Sequence, residues 1–314
     1  MRTLPAWRHI IIYLPLIALA EFTVAYIHPQ IGILFHIAIL CALLLHSGYL
    51  SKDSMEVNKL QWFTIKDRKQ PSSLLQRLIN KKNTLSSMLL SFSLIPLIRI
   101  LSLVMPLSIF PRIYWFVVTG IAIYLAFFFL LYQQKISLKD CGLRFPKIRH
   151  IPLELSIALL GAPFGYLEYY ILRPSSFLES YSPENIIIAI LILFFATGLL
   201  EELIFRGLLQ KKSTELLGVW QGILFISILF AVLHIGNLSL PDVALVFGIG
   251  SLYSIVVKNK NHHRGDHLSY NRQRVPISSA PIHRDLKTKS LNDTDDHNQR
   301  KHQQQRYDND VQPL

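Results

Sequence analysis

The sequence predicts an all-α protein: a polytopic helical membrane bundle of about eight transmembrane helices, followed by a disordered polar C-terminal tail. Three observations carry this. The 314 residues are 51% hydrophobic and only 17% charged, whereas soluble domains carry about 25% charged residues. The apolar residues gather in blocks of about 20, the length that crosses a hydrocarbon core roughly 30 Å thick. Between the blocks, basic connections alternate with connections poor in Lys and Arg, as they do when each helix reverses direction across a bilayer. The formal net charge of +12 therefore reads as orientation relative to the lipid bilayer, and no nucleic acid is expected as a partner.

The first block follows Arg2 and Arg8 and runs from Ile10 to Ala20. It resembles a signal peptide, and Ala18-Leu19-Ala20 offers a small-residue cleavage site. The apolar run continues through Phe22-Thr23-Val24-Ala25-Tyr26-Ile27, which predicts an uncleaved first helix. The eight expected spans are 9–27, 31–50, 88–110, 113–132, 151–172, 185–209, 219–236 and 241–257. Loop 51–87 carries Lys52, Lys59, Lys66, Arg68, Lys69, Arg77, Lys81 and Lys82. It is expected to be a solvated basic loop meeting anionic headgroups, with an amphipathic surface segment around Leu74 to Ile79 as the other reading.

Loop 133–150 carries Lys135, Lys139, Arg144, Lys147 and Arg149; Lys211 and Lys212 follow the sixth span, and Lys258 and Lys260 the eighth. The intervening connections, His28-Pro29-Gln30, Pro111-Arg112, 173–184 and 237–240, are poor in Lys and Arg. The alternation predicts a multi-pass protein of the cell membrane with both termini cytoplasmic. Cys41 and Cys141 form neither a disulfide framework nor a metal-binding pair. There is no internal repeat, Gly-rich phosphate loop, H-E-x-x-H or G-x-S-x-G.

The chain divides into residues 1–150, N-terminal transmembrane helices and basic cytoplasmic loops; 151–257, a transmembrane core; and 258–314, a polar cytoplasmic tail. The tail is too poor in apolar clusters to offset its ordering entropy, so disorder is expected. It holds His262, His263, His267, His283, His297 and His302. The Cys/His spacing of a structural zinc site is absent, and a solvated low-complexity segment is the expected reading.

The chemistry concentrates at Glu201, Glu202 and Arg206. An uncharged run, Ile186 to Leu200, precedes them, and ionisable residues inside a membrane are by default a functional-site hypothesis. Glu202 and Arg206 are spaced i,i+4 and can pair. Glu201 is turned by about 100° from Glu202, so it is free to face another neighbour. A carboxylate in low dielectric suits a general base near neutral pH. The plain alternative is an ion-paired helix end at the cytoplasmic mouth, but Glu201 lies about ten residues, roughly 15 Å, inside Lys211.

His234 ends Phe230-Ala231-Val232-Leu233-His234 on the next apolar block. A lone histidine there is most often structural. Counted from Trp220 it lies roughly 20 Å deep, about 5 Å beyond Glu201, a difference that helix tilt absorbs. Asn237 reads as a helix C-cap or loop residue. Arg99, between Pro96 and Pro106 in the third span, is expected to pair with a glutamate such as Glu21, Glu154 or Glu168; His36 and His46 lie in the second span. Glu168 and Asp242 are expected near the outer surface, solvated.

Glu201-Glu202-x-x-x-Arg206, followed on the next helix by Phe230-x-x-x-His234, resembles the CPBP family. These are the CAAX-protease and bacteriocin-processing intramembrane proteins, also called the Abi family. Phe247-Gly248-Ile249-Gly250-Ser251-Leu252-Tyr253 resembles the family's next helix, and the likeness spans about residues 150–257. The resemblance implies an intramembrane endopeptidase acting on a membrane-associated protein or peptide. Glu201 would be the catalytic glutamate that activates water, Glu202 and Arg206 would orient it, and His234 would act with it on the water or on a metal. A divalent metal, zinc among the choices, would be held by Glu201 and His234; a metal-free, glutamate-driven route is the other form.

The family's third motif, a His with Asn or Asp four residues on, has no counterpart on an apolar helix after Lys260. Loss of an oxyanion donor typically costs about 10²–10³ in rate. Three explanations compete: a truncated or frame-shifted reading, a natural pseudoenzyme, and an enzyme with a substitute group; the abrupt change at 258 favours the first. The alternative function is therefore a catalytically inactive member serving as a bacteriocin immunity or membrane scaffold protein. A transporter is a third reading, without an inverted repeat to favour it. Val311-Gln312-Pro313-Leu314 is not itself a prenylation box.

Overall fold

In hydrocarbon every backbone N–H and C=O must be satisfied within its own segment, so apolar blocks of this length fold as helices. The computed structural model describes residues 6–66, 73–104, 112–143, 151–176, 178 and 180–263. Among them all regular structure is helical. Eight long helices follow one another: α1 (Arg8–Ile27), α2 (Pro29–Lys66), α3 (Asn80–Val104), α4 (Ile113–Gln134), α5 (Ile151–Leu172), α6 (Pro183–Leu217), α7 (Val219–Asn237) and α8 (Leu240–His263). Seven segments of the described residues are long and apolar enough to cross a membrane; they lie in every helix of this set except α5, which is itself 22 residues long.

Several expected boundaries are corrected. The basic loop 51–87 is largely helix: α2 runs to Lys66, and helix resumes at Ser73 ahead of α3. The third span begins earlier than 88 and its description ends at Val104; 105–111 lie outside the described residues. Lys211 and Lys212 are not in a loop. They extend α6, and Lys212 is buried, donating to Ser87 Oγ. The eighth helix continues six residues past 257 and takes in His262 and His263. His267 and the rest of the expected tail lie outside the described residues.

Local chemistry explains the interruptions. Pro96 has no N–H for the carbonyl of Phe92, and the helix breaks at Ser93. Gly218 separates α6 from α7 with φ 94°, a conformation that favours glycine. Between α2 and α3, Ser47 Oγ donates to the Ser86 carbonyl at 2.8 Å and Ser86 Oγ to the Ser47 carbonyl at 2.9 Å, so two small residues let the helices approach and hold them.

The buried centre includes Phe92, Phe127, Phe205, Leu208, Ile226 and Leu229, from α3, α4, α6 and α7. Outward faces carry exposed apolar side chains such as Leu45, Leu125 and Phe129. Lipid tails are the solvent that suits such faces.

Candidate active site

The glutamate pair sits where α6 departs from α-helical geometry. Phe194–Leu199 and Glu202–Leu209 are π-helical, and Leu200 and Glu201 lie between them. Such widened turns occur frequently at functional sites. Within the first of them the Thr197 hydroxyl donates to the Leu193 carbonyl, one turn back. Apolar patterning predicts a regular α-helix here and does not record this widening.

The two carboxylates part company. Glu202 Oε1 lies 3.4 Å from Arg206 Nη1 across one turn. Arg206 is 5% exposed. Its guanidinium carbon sits 4.4 Å from the centre of the Phe230 ring, where the π-face attracts a cation. Phe230 meets Phe205 edge-on at 4.9 Å and His234 at 5.0 Å between ring centres. Phe230 is thus the piece that joins the first motif to the second.

Gly250 of α8 closes the group from the far side. A Cβ there would lie 3.3 Å from Phe230 Cδ1 and 3.6 Å from Arg206 Nη2. The glycine lets α8 approach the arginine and the ring together.

Glu201 makes no hydrogen bond or ion pair among the described residues and its side chain is accessible. Within electrostatic reach lie His234 of α7, Arg206 and Glu202 of α6, and Glu168 of α5. The His234 ring is oriented: Nδ1 lies 2.9 Å from the Phe230 carbonyl oxygen. A carbonyl only accepts, so Nδ1 carries the proton and Nε2 is the nitrogen left for chemistry.

Glu168 and Asp242 correct the expectation of solvated surface acids. Asp242 is fully buried, accepts from Asn237 Nδ2 at 2.9 Å, and has Oδ1 buried without a hydrogen-bond partner. Its backbone N–H donates to Ser239 Oγ at 3.3 Å. Ser239-x-x-Asp242 is a helix-start pattern, the one signal in the sequence that could have placed Asp242. Glu168 is half-buried and lies within electrostatic reach of Asp242 and His234. Asn237, read as a loop or cap residue, is the end of a short 3₁₀ turn and holds Asp242.

Among the described residues no group of three or more His, Cys, Asp and Glu side chains is placed to hold a metal ion. The divalent metal implied by the resemblance would have Glu201 and His234 and no third such donor there.

Fold and site together define a class: a multi-pass helical membrane protein with an accessible carboxylate and an oriented imidazole on successive helices. Residues 183–262 match the Rce1-like family, described as Type II CAAX prenyl endopeptidase Rce1-like. This segment is similar to the CAAX-protease family that its motifs resemble. The segment takes in α6, α7 and all but the last residue of α8, and with them Glu201, Glu202, Arg206 and His234. No curated protein and no solved structure matches the chain.

Proposed function

We propose that the protein is an intramembrane endopeptidase that hydrolyses a peptide bond of a membrane-associated protein or peptide. The observation that carries this reading is the division of labour between the glutamates. Glu202 is ion-paired with Arg206, while Glu201 is unbonded and accessible beside His234. The family of the matched segment supplies the reaction type.

In the reaction, Glu201 takes a proton from water as the water oxygen bonds to the scissile carbonyl carbon. His234 Nε2 accepts a hydrogen bond from the same water and orients it. The tetrahedral adduct collapses, the C–N bond breaks, and Glu201 returns the proton to the leaving amine. A positioned general base contributes typically 10²–10⁴-fold.

The test uses the full chain in lipid vesicles with a farnesylated CAAX-box peptide as the probe. Glu201→Gln should lower the cleavage rate by about 10³ with the protein present at its normal level. Retained cleavage would contradict the role of Glu201. An immunity or scaffold protein is the rival: it predicts that cellular protection or partner binding survives Glu201→Ala.

A further inference from the structure

We propose that Arg99 is a positioning residue for His234, locked in place by Glu21, which lies against His36, and set against the turn that follows the histidine. These three ionisable groups come one each from α3, α1 and α2, outside the segment that matches the family. Ionisable side chains inside a membrane are costly unless paired and used.

The pairing is tight. Arg99 Nε donates to Glu21 Oε1 at 2.5 Å and Nη2 to Oε2 at 2.7 Å. A forked contact of this kind fixes the plane of the guanidinium as well as its position. Glu21 is fully buried, and buried His36 places Nε2 3.2 Å from the same Oε1. The His36 nitrogen makes no hydrogen bond there; the forked contact with Arg99 is what holds the carboxylate and the arginine together.

The guanidinium then reaches α7. A Cβ on Gly236 would lie 3.2 Å from Arg99 Nη2, so a residue without a side chain gives the arginine its seat. Gly236 is in the 3₁₀ turn Ile235–Asn237, immediately after His234. Within that turn the His234 carbonyl accepts from the Asn237 N–H at 3.0 Å, and the His234 N–H donates to the Ala231 carbonyl at 3.0 Å. A shift of Gly236 is thus passed directly to the His234 backbone. The imidazole, tied to the Phe230 carbonyl, turns with it. The N-terminal helices brace the histidine rather than only anchoring the chain.

The kinetic meaning rests on the function proposed above, so the test has two arms on the full chain in lipid vesicles. The first follows cleavage of the farnesylated CAAX-box peptide. Arg99→Ala and Gly236→Ala should each lower turnover at saturating peptide by about tenfold, with KM within about twofold, and the double variant should be no slower than Arg99→Ala, because the vacated space takes the methyl group. Additive losses, or losses confined to KM, would overturn the brace.

The second arm reads the ¹⁵N resonances of the His234 ring, identified by their loss in His234→Gln. They should move in both single variants, and in the double variant they should match those of Arg99→Ala. Resonances unmoved by Gly236→Ala would overturn the proposal. If the peptide is never cleaved while the resonances move as stated, the proposed activity falls and the brace stands. Should Arg99→Ala fail to accumulate, Gly236→Ala carries both arms, with Gly248→Ala, whose Cβ meets nothing within 4 Å, as the control.

Discussion

At the scale of single residues, adjacent glutamates of the same chemistry are separated by their neighbours. The Glu202 side chain is 45% exposed and that of Arg206 is 4% exposed. An ion pair with one partner half in solvent is worth about 0–1 kcal/mol, and Arg206 also keeps the face of Phe230. Glu202→Gln should therefore cost about 1 kcal/mol or less in unfolding free energy, read from thermal unfolding in detergent. Glu201→Gln should leave the unfolding midpoint unchanged and remove cleavage. Equal destabilisation by both would contradict the separation of roles.

Cys141 gives an independent check of local packing. Its thiol is buried, which pushes its pKa up from 9.0 to about 11, opposed by Lys211 and Lys212. Because the thiolate is the reactive form, its fraction at pH 8 should be about 10²-fold below that of an unperturbed thiol. Thiol-specific reagents should label it slowly until pH approaches 11 or the chain unfolds; rapid labelling at pH 8 would show that the segment does not pack against α6. Glu201, Glu202, Arg206 and His234 stood out in the sequence because charge or imidazole interrupts apolar runs. Asp242 did not. A loop of polar residues looks the same whether it is wet or folded back, and only the tertiary contact between Asn237 and Asp242 distinguishes them.

At the scale of elements, the site depends on close approach. Gly250 brings α8 against Phe230 and Arg206, whereas a Cβ on Gly248 would meet nothing within 4 Å. Gly250→Leu forces extra atoms into a packed contact, at a typical cost of 1–3 kcal/mol, and Gly248→Ala should be neutral. Thermal unfolding of the two variants decides this, and equal behaviour would contradict the packing of α8. The helices themselves were legible because apolar blocks of membrane-crossing length permit little else. Their ends were less so. On charge alone Lys59 and Lys66 belong to a loop, yet α2 runs through them to Lys66, since a helix leaving the membrane need not stop at its surface. The π-helical turns around Glu201 were not legible at all. They are a detail of the backbone hydrogen-bond ladder, which a hydrophobic periodicity does not record.

At the scale of the whole molecule, two regions meet at one turn. The family segment, residues 183–262, carries the glutamates and the histidine. The N-terminal helices carry the Glu21–Arg99 pair that reaches Gly236. That Arg99 needs an acidic partner was readable from its place in an apolar span. Which glutamate it takes was not, because the three candidates lie on different helices and only packing selects among them. The central claim, that this membrane bundle cuts peptide bonds by means of Glu201, is tested most directly by comparing protein termini in membranes from cells expressing the full chain or its Glu201→Gln variant at equal levels. The account predicts at least one membrane-associated protein whose new terminus appears with the parent chain and is missing with the variant. Identical sets of termini in the two membranes would contradict it.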